Sequence, residues 1–174
     1  MMAKAQPLLA LLQRIERGLD AIIQPAVFAC MAALIGVITL QIISRVLFTA
    51  VGWTEEVARF LLIWMTFLAA TLAFQRGRHI AVTFAVDALP LAARRVARLV
   101  ALAVVLALLV SLIVIGYRYM QVQSFQKSAS LRISMTYIYA VMPVCAALMA
   151  WYTLVDMLET LIHGEPRVVK EGTP

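Results

Sequence analysis

The ionisable and nucleophilic residues of this chain lie almost entirely outside its apolar runs. A proton- or ion-coupled carrier places an ionisable group deep in a membrane span. Here the middles of the four apolar stretches hold nothing more polar than Thr39, Gln41, Thr66, Thr71 and Ser111. Each of these can be satisfied within its own helix or across one helix contact. That argues against a small exporter built around a membrane glutamate. A haem-binding bundle needs histidines facing each other within spans, whereas His79 and His163 fall in flanking segments. There is no Gly-rich phosphate loop, nucleophile elbow or metal-ligand cluster. Cys30 and Cys145 sit inside apolar runs and read as buried small hydrophobes rather than as a disulfide or a reactive pair. No catalytic residue, cofactor or metal is expected, and a membrane enzyme would need a site unlike any of these.

The polar clusters that remain are at the rims of the apolar runs. Arg45, Trp53, Glu55, Glu56 and Arg59 form the first. It reads either as interfacial anchoring with a capped helix or as a contact surface for another protein. Arg76-Gly77-Arg78-His79 forms the second, a basic anchor on one side of a membrane. Ser128-Ala129-Ser130-Leu131-Arg132 forms the third, a polar loop.

Elements of a membrane protein must position these clusters. The chain has 174 residues, 64% apolar and 14% charged, with a mean hydropathy of +0.94. A soluble domain carries about 25% charged residues, and one this small has too little core to hide so much apolar surface. The net charge of +6 does not point to nucleic acid, because the basic residues bound the apolar runs. The expected architecture is a single all-α membrane domain over residues 1–174. Its four spans cover about 24–48, 55–75, 96–119 and 133–158.

The second uncharged stretch, 60–75, covers only roughly 24 Å against about 30 Å of hydrocarbon. Its helix is therefore expected to start near Glu55, with Thr54 as N-cap. Glu55 and Glu56 then favour the positive end of the helix dipole, and Glu55 pairs with Arg59 one turn on. Pro143 is expected to kink the fourth span near 139–143. Trp53, Tyr117, Tyr119, Tyr137, Trp151 and Tyr152 read as an interfacial aromatic belt.

Before the first span, Leu8, Leu11, Leu12, Ile15, Leu19, Ile22 and Ile23 recur at helical spacing, with Gln13, Arg14, Glu16, Arg17 and Asp20 on the other face. Residues 8–23 thus predict an amphipathic helix lying on the membrane. A signal peptide fits less well, because charges interrupt the run and the next stretch is long enough to span. Residues 80–93, with Asp87 and Pro90, read as an interfacial or loop helix. The tail 163–174 reads as polar and loosely ordered. Ten Lys and Arg residues fall on the side of the termini and the loop after the second span, against five on the other side. The positive-inside rule then places both termini in the cytoplasm, and the 53–56 and 121–132 loops face outward.

Trp53-Thr54-Glu55-Glu56-Val57-Ala58-Arg59 followed by Trp64, with Arg45 upstream, resembles the signature of the small (DctQ-like) membrane subunit of tripartite ATP-independent periplasmic (TRAP) transporters. Arg76-Gly77-Arg78-His79-Ile80 resembles the basic loop after that family's second helix. Ser130-Leu131, Tyr137 and Pro143 resemble the approach to its fourth. The likeness covers about 45–143, and the tryptophan–diglutamate–arginine run is its most specific part. Thr83 stands where an acidic residue is expected, Val144-Cys145-Ala146 where a glycine is expected, and Ala69-Ala70 lacks the glycine of a small-residue pair.

The resemblance implies a non-catalytic scaffold in the bacterial inner membrane, in contact with lipid. It would be bound to a large multi-span subunit that moves an organic anion, of carboxylate or sialic-acid type, on a sodium gradient. It also implies a periplasmic substrate-binding protein that this subunit helps to dock. Arg45, Trp53, Glu55, Glu56, Arg59, Trp64, Arg76, His79, Ser130 and Pro143 become the expected partner interface, with Glu56 turned toward Arg45 or a partner. The short tail ending at Pro174 suggests a separate small subunit. The rival reading is a stand-alone four-helix carrier or enzyme.

Overall fold

A computed structural model describes residues 5–47, 52–86 and 91–163, and their side chains except those of 5–10, 13, 78–86, 91–93 and 163. The elements run α1 (Ala5–Leu47), α2 (Gly52–Val86), α3 (Leu91–Val122), a 3-10 turn (Gln123–Phe125), α4 (Met135–Tyr139) and α5 (Val141–His163). In hydrocarbon every backbone polar group must find its partner inside the protein, which leaves long helices as the way for an open chain to cross. Four stretches are long and apolar enough to do so: Arg14–Leu47, Gly52–Gly77, Arg94–Phe125 and Met135–Ile162.

The helices pack in the order α1, α2, α5, α3. α1 lies mainly on α2, α3 mainly on α5, and α2 meets α5 between them. The core therefore sits around α5, where Val141, Cys145, Ala146, Ala150, Tyr152 and Val155 are buried. The flanking helices turn apolar stripes outward. Phe28, Met31, Ile35, Ile38, Ile42 and Val46 of α1 are exposed, as are Val96, Val100, Val104, Leu108 and Ile115 of α3. Spacings of three, four and seven residues put each set on one helix face. Such stripes would be a liability in water, and lipid or an apolar partner is the surrounding that suits them.

Three features depart from the sequence expectations. Residues 8–23 are not a separate helix, because α1 runs through them and past Pro25 to Leu47. On this part Leu12 and Ile23 of the apolar face and Glu16 of the polar face are buried against the bundle, whereas Leu11, Ile15 and Ile22 of the apolar face are exposed. α2 likewise continues beyond the basic motif to Val86, so residues 80–86 extend the second helix. Asp87, Pro90 and the tail from 164 onward lie outside the described residues. α2 also begins at Gly52, so Thr54 is not its N-cap but a wholly buried residue of the first turn.

Near Pro143 the helix is interrupted at Ala140, between α4 and α5. Proline has no N–H for the carbonyl of residue 139, which favours a break one turn before it. Ser134 caps α4 by accepting from the Thr136 N–H. Although no glycine follows Pro143, Gly116 on α3 supplies the close approach. A Cβ there would lie 3.3 Å from Met142 Cγ and from Pro143 Cδ, so the bare Cα lets α3 press against the start of α5.

Candidate functional site

Two polar clusters sit at opposite ends of the apolar span of α2, Gly52–Gly77. Glu56 and Gln75 are separated by about 28 Å along the axis at 1.5 Å per residue, close to one hydrocarbon thickness.

At the Glu56 end the chain folds a tight loop between the 3-10 turn and α4. Lys127 and Ser134 form an antiparallel bridge. The Ser128 N–H donates to Ile133 O at 2.9 Å, the Arg132 N–H to Ser128 O at 3.1 Å, and the Met135 N–H to Gln126 O at 3.0 Å. Closing so short a turn puts Arg132 at φ 52, a left-handed conformation that costs a residue with a side chain about 1–2 kcal/mol. The amides at the tip then point inward, where Glu56 meets them. Its carboxylate accepts from the Ser128 hydroxyl, from the Ser130 N–H at 3.0 Å and from the Leu131 N–H at 3.3 Å. Hydrogen bonds to an ionised acceptor are about twice as strong as neutral ones. Ser128 is buried under this contact, and the Ser130 hydroxyl lies 3.5 Å from where a Cβ on Gly52 would stand.

The carboxylate of Glu56 is turned to this loop, and no contact with Arg45 is seen among the described residues. One carboxylate spans 72 residues of sequence to hold a loop of the same molecule. Glu55, one residue earlier, faces away from it. Arg59 Nη2 donates to Glu55 Oε1 at 3.3 Å, with 66% and 70% of the two side chains exposed, as the four-residue spacing predicts. Beside them the Tyr119 and Tyr139 rings meet edge to face, centroids 4.9 Å apart, and Gln123 Nε2 donates to the Tyr119 hydroxyl at 3.0 Å.

At the Gln75 end, Asp20 of α1 gathers three helices. Gln75 Nε2 of α2 donates to its Oδ2, and the Tyr152 hydroxyl of α5 donates to its Oδ1 at 3.3 Å. Tyr152 is wholly buried, so it is a core residue rather than a member of an interfacial belt. One turn further along α5, buried Asp156 attracts Arg98 of α3 electrostatically, as does Glu159, while Arg94 opposes them. Arg95 of α3 donates to Leu161 O, close to the end of α5.

Of the expected interface residues, the structure brings together Glu56 with Ser130 and Glu55 with Arg59. Arg45 is exposed in the last turn of α1. Trp53, Trp64 and Arg76 are exposed on α2, and Pro143 packs by Gly116. His79 lies on α2, and its side chain is outside those described. The sequence reading missed Ser128 and the Leu131 amide as partners of Glu56, and the Asp20–Gln75–Tyr152 contact. Nothing in their spacing signals either. Cys145 is buried and Cys30 only half-buried, both with free thiols. Thr66, Thr71 and Ser111 donate to the carbonyls of Leu62, Phe67 and Ala107, so these three hydroxyls are satisfied within their own helices. Among the described residues no three His, Cys, Asp or Glu side chains group as metal ligands.

A family described as tripartite ATP-independent periplasmic transporters, DctQ component, matches residues 34–163. The sialic acid TRAP transporter small permease protein SiaQ of Vibrio cholerae is 33% identical over 147 residues, covering 84% of this chain and 83% of that protein. The isethionate TRAP transporter permease protein DctMQ of Oleidesulfovibrio alaskensis is 31% identical over 143 residues, covering 77% of this chain but 22% of that protein. The sialic acid TRAP transporter permease protein SiaT of Haemophilus influenzae is 29% identical over 118 residues, covering 67% of this chain and 19% of that protein.

Proposed function

The chain belongs to the DctQ family of TRAP transporter components, and from that premise we propose that it is the scaffold subunit of a sodium-driven, binding-protein-dependent uptake system for an organic anion. It is a multi-pass membrane component of a transporter rather than an enzyme. Relatives are named for sialic acid, a carboxylate, and for isethionate, a sulfonate; both are organic anions, and the sialic acid relatives support the carboxylate or sialic-acid type as substrate.

The observation that carries the scaffold reading is the length of two relatives. A region like this chain makes up about a fifth of each longer permease protein. A stretch that occurs joined to a larger permease is one that works against it. The exposed stripes of α1 and α3 offer it apolar faces. The Asp20 contact ties α1, α2 and α5 together, which suits a part that stays fixed while another moves. The membrane is the bacterial inner membrane, with both termini cytoplasmic. The first turns of α1 lie in the cytoplasmic headgroup layer, and the loop held by Glu56 is on the periplasmic side, where it helps dock the binding protein.

Affinity purification of the tagged chain in mild detergent tests this. A large multi-span permease should co-purify. Uptake into vesicles should require that permease, the soluble binding protein and an inward sodium gradient together. Uptake of an organic acid by this chain alone would establish a stand-alone carrier instead. Reporters active only in the periplasm should be silent after Pro174 and active within Ser124–Ser130. The reverse pattern would invert the topology.

A further inference from the structure

We propose that Glu56 is a positioning residue: its carboxylate presets the Ser128–Arg132 turn as a basic contact element for an acidic patch on the soluble binding protein. The inference rests on the transporter reading above and adds to it a named element and the residue that shapes it. Between Arg118 and Ala140 the chain carries Arg118, Lys127 and Arg132 and no Asp or Glu. All three cations are exposed. In the proposed orientation they lie on the side of the membrane where short loops tend to lack basic residues, so anchoring does not account for them. Phe125, in the same loop, is 92% exposed, an aromatic of the kind that anchors protein interfaces.

Among the described residues the carboxylate that bonds this loop, that of Glu56, turns inward. Glu56 spends its oxygens on Ser128, Ser130 and Leu131, so it holds the loop without covering its outer surface. Lys127 and Arg132 flank the pinned residues, one on each side, and Arg132 is held in a backbone conformation that an unpinned loop would leave. A fixed geometry of two cations suits a protein surface with carboxylates at matching positions, because preorganisation removes part of the ordering cost of binding. Attraction to anionic lipid headgroups needs charge near the surface but no particular loop shape, so the pinned turn favours the protein partner.

The test uses the complex of both membrane subunits in nanodiscs of zwitterionic lipid. Hydrogen exchange is read at Ser130 and Leu131, and the Kd of the soluble binding protein is measured at two salt concentrations. Glu56→Ala should speed exchange of both amides, and Glu56→Gln should do so less, since one amide oxygen still accepts. Both variants should keep the wild-type yield of complex, and Glu56→Ala should weaken binding by about tenfold. The double variant Lys127→Glu/Arg132→Glu should leave exchange unchanged, weaken binding by tenfold or more, and remove much of its salt dependence. Unchanged exchange in Glu56→Ala would show that the carboxylate does not hold the turn. Faster exchange with an unchanged Kd would show that the turn is not the contact. Should the double variant alter only the affinity of the complex for anionic vesicles, the element reads lipid and the proposal falls. Failure of the large permease to co-purify would instead sink the transporter reading, while the exchange experiment on the chain itself would still report the clamp.

Discussion

Both ends of the apolar span of α2 are organised by a carboxylate, but the two carboxylates hold different things. Asp20 joins side chains from three helices, and one donor, Tyr152, is wholly buried in the core. Glu56 joins one helix to the tip of a loop, and two of its donors are backbone amides beside exposed residues. When a buried partner is lost, the orphaned group has no water to turn to and keeps its full desolvation penalty. When a rim partner is lost, water replaces it. The Asp20 end should therefore decide whether the helices stay together, and the Glu56 end should decide the shape of one loop.

The largest effect that separates them is expected from Tyr152→Ala. Removing a fully buried ring from the centre of α5 leaves a cavity and takes one of the two donors from Asp20, and large-to-small changes of this kind cost about 3–5 kcal/mol. The purified subunit in detergent should show a marked drop in Tm. Tyr152→Phe, which keeps the ring, should cost only about 0.5–1.5 kcal/mol. If the two variants melt together, the hydroxyl rather than the ring carries the stability, and the core assignment of Tyr152 fails.

Next in size is Asp20→Ala, expected to cost about 1–3 kcal/mol because Gln75 and Tyr152 lose one acceptor together. A double-mutant cycle with Gln75→Ala should then be strongly non-additive, since the second change removes a group whose partner has already gone. Additive melting shifts would mean that the Asp20–Gln75 contact does not form in the membrane. Glu56→Ala comes third. Its Tm shift should be smaller than that of Asp20→Ala, and the change should be confined to protease sensitivity and amide exchange in residues 126–134. A global loss as large as that at Asp20 would erase the distinction between the two ends.

How much of this was legible in the sequence follows from the range over which each contact acts. Four apolar helices and the Glu55–Arg59 pair were readable because periodicity and a four-residue spacing are local signals. The tryptophan–diglutamate–arginine run marked the right rim. It did not reveal what Glu56 touches, because two of the partners are backbone amides, which every residue possesses, and they lie more than seventy residues away. Arg132 in a left-handed conformation carries no cue either, as glycine or asparagine would. Asp20 and Tyr152 were visible only as polar residues at the limits of apolar runs, where boundary marker and interhelical tie look alike. The amphipathic pattern of 8–23 was real, but the pattern does not say whether its apolar face meets lipid or protein. Leu12 and Ile23 meet protein, while Leu11, Ile15 and Ile22 of the same pattern are exposed.

The smallest expected effect is at Glu55. It differs from Glu56 by one position, about 100° around the helix, and that rotation separates a carboxylate held by a loop from one that faces solvent. Its pair with Arg59 has about two-thirds of each side chain exposed, and ion pairs in such settings contribute about 0–1 kcal/mol and weaken with salt. Glu55→Ala in the isolated subunit should therefore leave Tm nearly unchanged and leave exchange at Ser130 and Leu131 at the wild-type rate. The complex is the more searching setting, because a pair that is idle in the free subunit can still be covered by another chain. Burial against a partner would leave Arg59 unpaired on loss of Glu55 and raise the cost severalfold. A Glu55→Ala variant with an unchanged Tm alone but a reduced yield of the two-subunit complex would place the exposed face of α2, rather than the clamped loop, against the large permease. Wild-type yield in that variant would leave this pair as a solvated cap on the first turn of α2 and assign the partner contact elsewhere.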